Sequence, residues 1–454
     1  MTAIADLTAV ELAAAIRTRA VSPVEAVEAA LARIEDRKDL NAFMTICAER
    51  ARMEAKSAET ALRDGAASGP LHGIPFSVKD LTNTEGVRTT QGSALFADHV
   101  PTVDAVAVAR MRAAGAILIG KTTTPEFGHK PFTEGPLFGR TLNPVNPAFT
   151  CGGSSGGAAV AVAAGMGPIA LGTDGGGSIR IPAACCGVFG LKATLGAIPN
   201  LQAPDLFGAN SYVGPIARTI SDVRMMFDVL AGTDFRDPYG QAGLPSARRI
   251  RKGELPRIGL LLRCGNILDP EVEAAVVATM RRAEMLGMVV EPVELDLVGL
   301  EPHFLTFLRS LLLARLGPLA ESHPHKFDPT LLVTIDVGRA YSASNLCEAQ
   351  FARTVCFGSI QAILTQFDVI ASPTLSTPAL PVGLDPLGKI RIAGQEAGTI
   401  RGAWYPYTYP FNLTGHPALS MPCGFAANGL PIGLQLVGRW HEDRFLLDIA
   451  ELFG

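Results

Sequence analysis

Strand-like and helix-like stretches alternate along almost the whole chain, and this alternation limits the fold more than any other feature. "SPVEAVEAALARIEDR" opens with Ser22, Pro23 and Glu25, a capping box with proline at the first helical position, and Val24, Val27, Leu31 and Ile34 then share one face. "AVAVARMRAAGAILIGK" predicts a helix stopped at Gly115, followed by a short buried strand from Ala116 to Ile119. Later, "LPRIGLLL" predicts a strand, "DPEVEAAVVATMRRAEMLG" a helix capped by Asp269, and "MVVEPV", "FDVIASPT" and "PIGLQLVGR" further strands. Repeated strand–helix units imply an α/β fold whose central sheet is covered on both faces. Gly232 to Pro256 is polar and rich in turn residues, as a subdomain seam would be. Strand signals continue on both sides of it, so one large domain over residues 1–454 is expected.

The 454 residues are enough for a large core, and 48% hydrophobic against 18% charged residues describes a globular chain. A net charge of -4 gives no electrostatic case for nucleic acid or an anionic membrane. The basic run Arg248, Arg249, Arg251 and Lys252 is more simply a solvated linker than a binding patch. The N-terminal stretch carries Asp6 and Glu11, unlike a secretory signal, and no apolar run approaches the roughly 20 residues of a membrane helix. Eight cysteines without a CxxC pair are expected to be reduced thiols, which implies a cytoplasmic protein. His323 and His325 flank Pro324 with no third ligand in view, so no metal site is expected there.

The chemistry concentrates between Cys151 and Pro182, "CGGSSGGAAVAVAAGMGPIALGTDGGGSIRIP". A phosphate loop fails, because no GK[ST] follows and the GxGxxG spacing is absent. Gly152 to Gly156 matches the G-x-S-x-G nucleophile elbow, with His416 and His441 available downstream, but a proline-bearing loop precedes it where a strand is required. The second cluster is more telling. Gly175, Gly176 and Gly177 let successive backbone N–H groups turn toward one point beside Ser178, which suits an oxygen anion formed in acyl transfer. A serine needs a base, and no histidine lies between His129 and His303. Lys79 ends the apolar run Ile74 to Val78, and a lysine carried into the interior can be neutral. Cys151 is expected to be a small buried filler.

These residues resemble the amidase signature enzymes. The resemblance rests on "GIPFSVKD", "GAILIGKTTTPEFG", "NPVNPAFTCGGSSGGAAVAVAAG", "LGTDGGGSIRIPAACCGVFGLKAT" and "NLTGHPALSMPCGF…GLPIGLQLVGR", in that order, from about Leu71 to the C-terminal region. It implies one domain with a mixed sheet of roughly eleven strands between helices, the catalytic core falling at about 70–200. It also implies a Ser–Ser–Lys relay that needs no metal and no organic cofactor: Ser178 as nucleophile, Ser154 as bridging serine on a cis peptide, and Lys79 as base. Ser155 would support them. The backbone N–H groups of Gly175, Gly176, Gly177 and Ser178 would form the oxyanion hole, and Asp174 and Arg180 would hold the loop. The expected partner is a small-molecule amide, with a homodimer left open.

Departures from the family narrow the amide. "KTTTPEFGHK" replaces the Met-Asp-Glu-Phe pattern of the amidotransferase glutaminase subunit, and "RGAWYPYTYPFNLTGHP" lacks the acid that holds the glutamine amino group there. Phe127, Trp404, Tyr405 and Tyr407 are expected in the substrate pocket, which favours a hydrophobic or aromatic amide or anilide. Phe132, like Phe127, suits either a substrate entrance or the core. The alternatives are a carbamate or ester hydrolase, an inactive binding protein, and the glutaminase subunit of an amidotransferase. The apolar helix from His303 to Ala320 is expected to be core, or else a lid or channel wall over the substrate or a weak membrane-facing patch. Gly175 stands where relatives have a larger residue, Ala193 replaces a proline, and the chain ends at "ELFG", shorter than many relatives.

Overall fold

The computed structural model describes residues 3–66, 69–208, 210–240, 248–251 and 253–453. The predicted capping box forms: Ser22 Oγ accepts from Glu25 N–H, the Glu25 carboxylate accepts from Ser22 N–H, and the helix runs Pro23–Asp36. Asp269 likewise caps Pro270–Met285, accepting from Glu271 N–H. Both helices start where a side-chain oxygen satisfies a first-turn donor that has no partner inside the helix.

Eleven strands form one mixed sheet. From one edge to the other the order is Phe43–Ile46, Ile117–Thr122, Pro75–Lys79, Ile169–Asp174, Tyr212–Ala217, Phe189–Lys192, Ala418–Phe425, Pro431–Val437, Val369–Pro373, Arg257–Leu260 and Val289–Pro292. The pairs Pro75–Lys79 with Ile117–Thr122 and Pro75–Lys79 with Ile169–Asp174 are parallel, as are the last two pairs at the far edge. The others are antiparallel. Helices pack on both faces, and leucine, valine and isoleucine from the strands fill a core on each side.

Ile117–Thr122 runs past the predicted end at Ile119 and carries Lys121 into the interior. The apolar pattern stops there, but the ladder to both neighbouring strands does not. Lys121 is accommodated because its ammonium donates to Thr82 O at 2.6 Å and Thr89 Oγ1 at 2.7 Å, with Asp80 3.7 Å away.

Strands before and after Gly232 to Pro256 lie in the same sheet, so the fold is not divided there. The basic run is not a solvated linker either. Arg248 bonds Asp368 at 2.7 Å and Glu442 at 3.0 Å, and Arg249 pairs with Asp448 at 2.6 Å, which pins the segment to the body. Lys252 lies outside the described residues. Among the described residues no helix is long and apolar enough to cross a membrane.

Candidate active site

Parallel pairing sets the site. Pro75–Lys79 and Ile169–Asp174 run side by side, so their carboxyl ends open on one edge of the sheet, where α/β proteins bind ligands. Lys79 closes the first strand. Thr173 and Asp174 close the second, which feeds the glycine loop, Ser178 and the helix Arg180–Cys186. The other glycine block enters the helix Gly156–Ala163, and Ser155 N–H donates to Ser178 O at 3.0 Å, tying the two blocks together. The Gly153–Ser154 peptide is cis.

Lys79 is fully buried. Its Nζ lies 2.7 Å from Ser154 Oγ, 2.9 Å from Ser155 Oγ and 2.8 Å from Thr173 Oγ1. Burial pushes its pKa well below the ordinary lysine value, and the Asp174 charge only partly opposes this. Ser155 Oγ donates to Thr173 O at 3.0 Å and accepts from Thr173 N–H at 3.2 Å. Ser154 is buried, whereas Ser178 is half-buried, and both face one cavity. Thr173 belongs to the site although sequence reasoning passes over it. Its signal is its place directly before "DGGGS".

Asp174 and Arg180 hold the loop through a fully buried ion pair. The guanidinium donates to both Asp174 oxygens at 3.0 Å, and also to Thr408 O, Gln435 Oε1 and Asn412 Oδ1 at 2.7–2.9 Å. Burial alone would raise the Asp174 carboxyl, but Arg180 and the surrounding donors hold it well below the usual carboxylate range. The Asp174 carboxylate in turn accepts Gly177 N–H at 2.6 Å and Ile179 N–H at 3.1 Å.

That last contact corrects the expected oxyanion hole. The Gly177 N–H is taken by Asp174 and is not available to a ligand. The N–H groups of Gly175, Gly176 and Ser178 have no acceptor among the described residues. Gly177 serves the loop's shape instead. Its φ is +121°, and a Cβ there would meet Thr408 Oγ1 at 2.3 Å. At Gly175 a Cβ meets only Asn210 O, at 3.4 Å. Gly177→Ala is therefore expected to cost about 1–3 kcal/mol of stability, as strained backbone does, and to slow acylation of Ser178 far more than Gly175→Ala. Melting curves and the rate of modification by a fluorophosphonate check this. Equal losses in the two variants would count against it.

The cavity beside Ser178 has a volume of about 200 Å³. A dry site of ~150 Å³ already takes benzene. Phe127 and Tyr405 line it as expected. Trp404 and Tyr407 do not. Trp404 is buried with its indole N–H on Thr377 O and Pro378 O, and Tyr407 is buried with its hydroxyl on Leu262 O at 2.8 Å. Adjacent residues on this irregular segment point to opposite sides, so aromatic content alone does not tell pocket from core. Phe132 packs on Trp404, ring to ring at 5.9 Å, and is core. The helix Glu301–Ser322 is both core and wall: Leu316 and Ala320 pack inward, while Phe304, Phe307 and Leu308 face the cavity.

Neither His416 nor His441 reaches this cavity, which leaves the nucleophile-elbow reading without a base. His416 is buried between Thr414 and Gln361. His129 does line the cavity, but its ring nitrogens are 2.8 Å from Glu126 O and Thr330 Oγ1, and burial lowers its pKa to about 4. Burial pushes the Cys151 thiol up to about 12, as an inert filler requires.

Comparison with known proteins shows the family. The Amidase family profile matches residues 25–447. An acylamidase of Rhodococcus erythropolis is 34% identical, over 98% of this chain and 94% of its own. A glutamyl-tRNA(Gln) amidotransferase subunit of Roseiflexus sp. (strain RS-1) is 36% identical, over 100% of this chain and 97% of its own. The crystal structure of a bacterial aryl acylamidase superposes with a TM-score of 0.89 at 29% identity, covering 98% of this chain and 95% of that one. With a match along nearly its whole length, and with the lysine and both serine blocks gathered at one sheet edge, the chain belongs to the amidase signature family and is an amide-hydrolysing enzyme.

Proposed function

We propose that the protein hydrolyses hydrophobic or aromatic carboxamides and anilides through a Ser178 acyl-enzyme. The observation that carries this reading is the contact of Lys79 with Ser154 at 2.7 Å in a fully buried setting. A neutral amine has two hydrogens and one lone pair. The Ser155 hydroxyl is spent on Thr173 O, so Ser155 Oγ accepts one Lys79 hydrogen, and Thr173 Oγ1 takes the other. The lone pair is then left for the Ser154 hydroxyl. Ser154 passes its proton to Lys79 and receives the Ser178 proton as the Ser178 oxygen bonds to the carbonyl carbon. The carbonyl oxygen becomes an anion facing the N–H groups of Gly175, Gly176 and Ser178. The proton returns to the nitrogen as the C–N bond breaks. Water then attacks the ester by the same relay, giving the acid and free Ser178.

Part of the cavity favours an apolar ring. Aromatic rings and leucines form that part, Gln91, Asn200, Gln202, Asn210, Arg315 and Arg401 line the rest, and among the described residues no aspartate or glutamate lines it. A glutaminase must hold an ammonium group beside the scissile amide, and this lining offers no carboxylate for it. The similarity to the Roseiflexus amidotransferase keeps glutamine in the test nonetheless. Intact-mass spectrometry after a fluorophosphonate should show one adduct on wild type and none on Ser178→Ala. A panel of glutamine, short aliphatic amides, benzamides, anilides and aryl carbamates should then favour the aromatic amides. No adduct on folded wild type would defeat the acyl-enzyme, and preference for glutamine would defeat the substrate class.

A further inference from the structure

The same cavity holds cations that the relay does not use. The Arg401 guanidinium lies over the Phe304 ring at 5.2 Å and the Tyr405 ring at 5.5 Å. Arg315, exposed at the mouth, lies over Phe127 at 5.5 Å and donates to Gln91 Oε1 at 2.8 Å. Neither guanidinium has a carboxylate of a described residue within 4.0 Å. The third cation lining the cavity, Lys130, is already neutralised by Asp328 at 2.7 Å. Among the described residues the lining has no acid to balance the two arginines.

The backbone that carries Arg401 is held in place. It sits in the single π-helical turn Ile400–Trp404, an arrangement often found at functional sites. Thr399 Oγ1 caps that turn by accepting Gly402 N–H at 3.0 Å, and it donates to Glu301 Oε1 at 2.6 Å. One Glu301 oxygen is thus engaged with Thr399, and neither comes within 4.0 Å of the Arg401 guanidinium. Phe304 also fixes the distance to the chemistry, because its ring abuts Gly176: a Cβ there would meet Phe304 Cζ at 2.7 Å. The charge of Arg401 therefore lies about one aromatic ring away from the loop that carries Ser178.

A guanidinium half-buried on two ring faces keeps its planar donor fork for a ligand, and a carboxylate is the group that fits the fork. We infer that the preferred substrate is an aromatic amide carrying a carboxylate about one ring from the scissile carbonyl, and that Arg401 selects it. This rests on the Ser178 reading. It goes beyond that reading in naming the charge of the substrate and the residue that recognises it. The carboxylate takes no part in bond breaking, so Arg401 is a specificity residue and not a catalytic one.

The test compares acetanilide with 4-acetamidobenzoate, and benzamide with 4-carbamoylbenzoate, which place the carboxylate on either side of the scissile bond. Wild type should hydrolyse the anion of at least one pair about 10- to 100-fold more efficiently in kcat/KM, chiefly through KM, as a charge-assisted hydrogen bond provides. Arg401→Gln should bring that ratio close to one, and Arg401→Lys should leave it intermediate. A wild-type ratio at or below one in both pairs, or a ratio unmoved in Arg401→Gln, overturns the inference. If wild type turns over neither member of either pair, the Ser178→Ala protein is titrated calorimetrically with 4-acetamidobenzoate. Binding that disappears when Arg401→Gln is added sustains the anion site even if the acyl-enzyme fails, and absence of binding overturns it.

Discussion

Lys79→Met should abolish most of the activity and at the same time flatten the dependence of stability on pH. A positioned base contributes about 10²- to 10⁴-fold, and acylation of Ser178 should fall by that order. In wild type the reactive form is the neutral amine. Activity should drop as pH falls through the lowered Lys79 pKa, and this limb should vanish in the variant. The sign for stability is opposite to that of an ion-paired lysine. Lys79 is held below its ordinary value by burial. Between the folded value and the unfolded value of about 10.4, the unfolded chain binds one more proton than the folded one. Wild-type stability therefore gains from this group as pH rises through that window, and loses as pH falls. Lys79→Met removes the contribution. The variant should be favoured relative to wild type at neutral pH, with the advantage shrinking toward pH 10. Lys121 and Lys192 are also lowered by burial, but they are common to both proteins and cancel in the difference. Denaturant midpoints from pH 6 to 10, with fluorophosphonate kinetics on the same samples, measure both arms. Parallel stability curves would mean that Lys79 is protonated in the fold and is not the base.

The local parts of this molecule are legible in the sequence because they depend on near neighbours. Ser22 and Glu25, or Asp269 and Glu271, are within a turn of each other, and their caps form as read. The apolar run ending at Lys79 is enough to carry that lysine into the interior. What is not legible depends on residues more than a hundred positions away. Asn412, Thr408 and Gln435 complete the Arg180 network across separations of 228 to 255 residues, and nothing local marks them as partners. Phe304 behaves the same way, since its contact with Gly176 joins a distant helix to the nucleophile loop. Trp404 and Tyr407 escape a sequence reading because an irregular segment has no period from which to read a facing direction. The Gly177 N–H departs from expectation for a subtler reason. Glycine density indicates that backbone can turn toward an anion, but not that the first anion it meets is the carboxylate of Asp174.

That carboxylate makes the second large effect predictable. Arg180→Met removes the cation from a fully buried pair and leaves Asp174 charged among groups that cannot replace it. Breaking such a pair from one side costs roughly 3–5 kcal/mol. Asn412 Oδ1, Gln435 Oε1 and Thr408 O lose their donor in the same step. Arg180→Lys should recover little, since an ammonium cannot span both Asp174 oxygens and three further acceptors at once. The informative variant is the double one, Arg180→Met with Asp174→Leu. Replacing both charges by apolar groups of similar size removes the uncompensated carboxylate, and part of the stability should return, the buried acceptors and N–H groups left without partners keeping it below wild type. Activity should not return, because the Asp174 oxygens that fix Gly177 N–H and Ile179 N–H are gone and the loop no longer presents Gly175, Gly176 and Ser178 in register. Urea midpoints and Ser178 adduct rates on the single and double variants separate the two roles. If the double variant regained acylation together with stability, the pair would be a structural filler. Stability without acylation would mean that the buried ion pair is there to hold the nucleophile loop in its reactive shape.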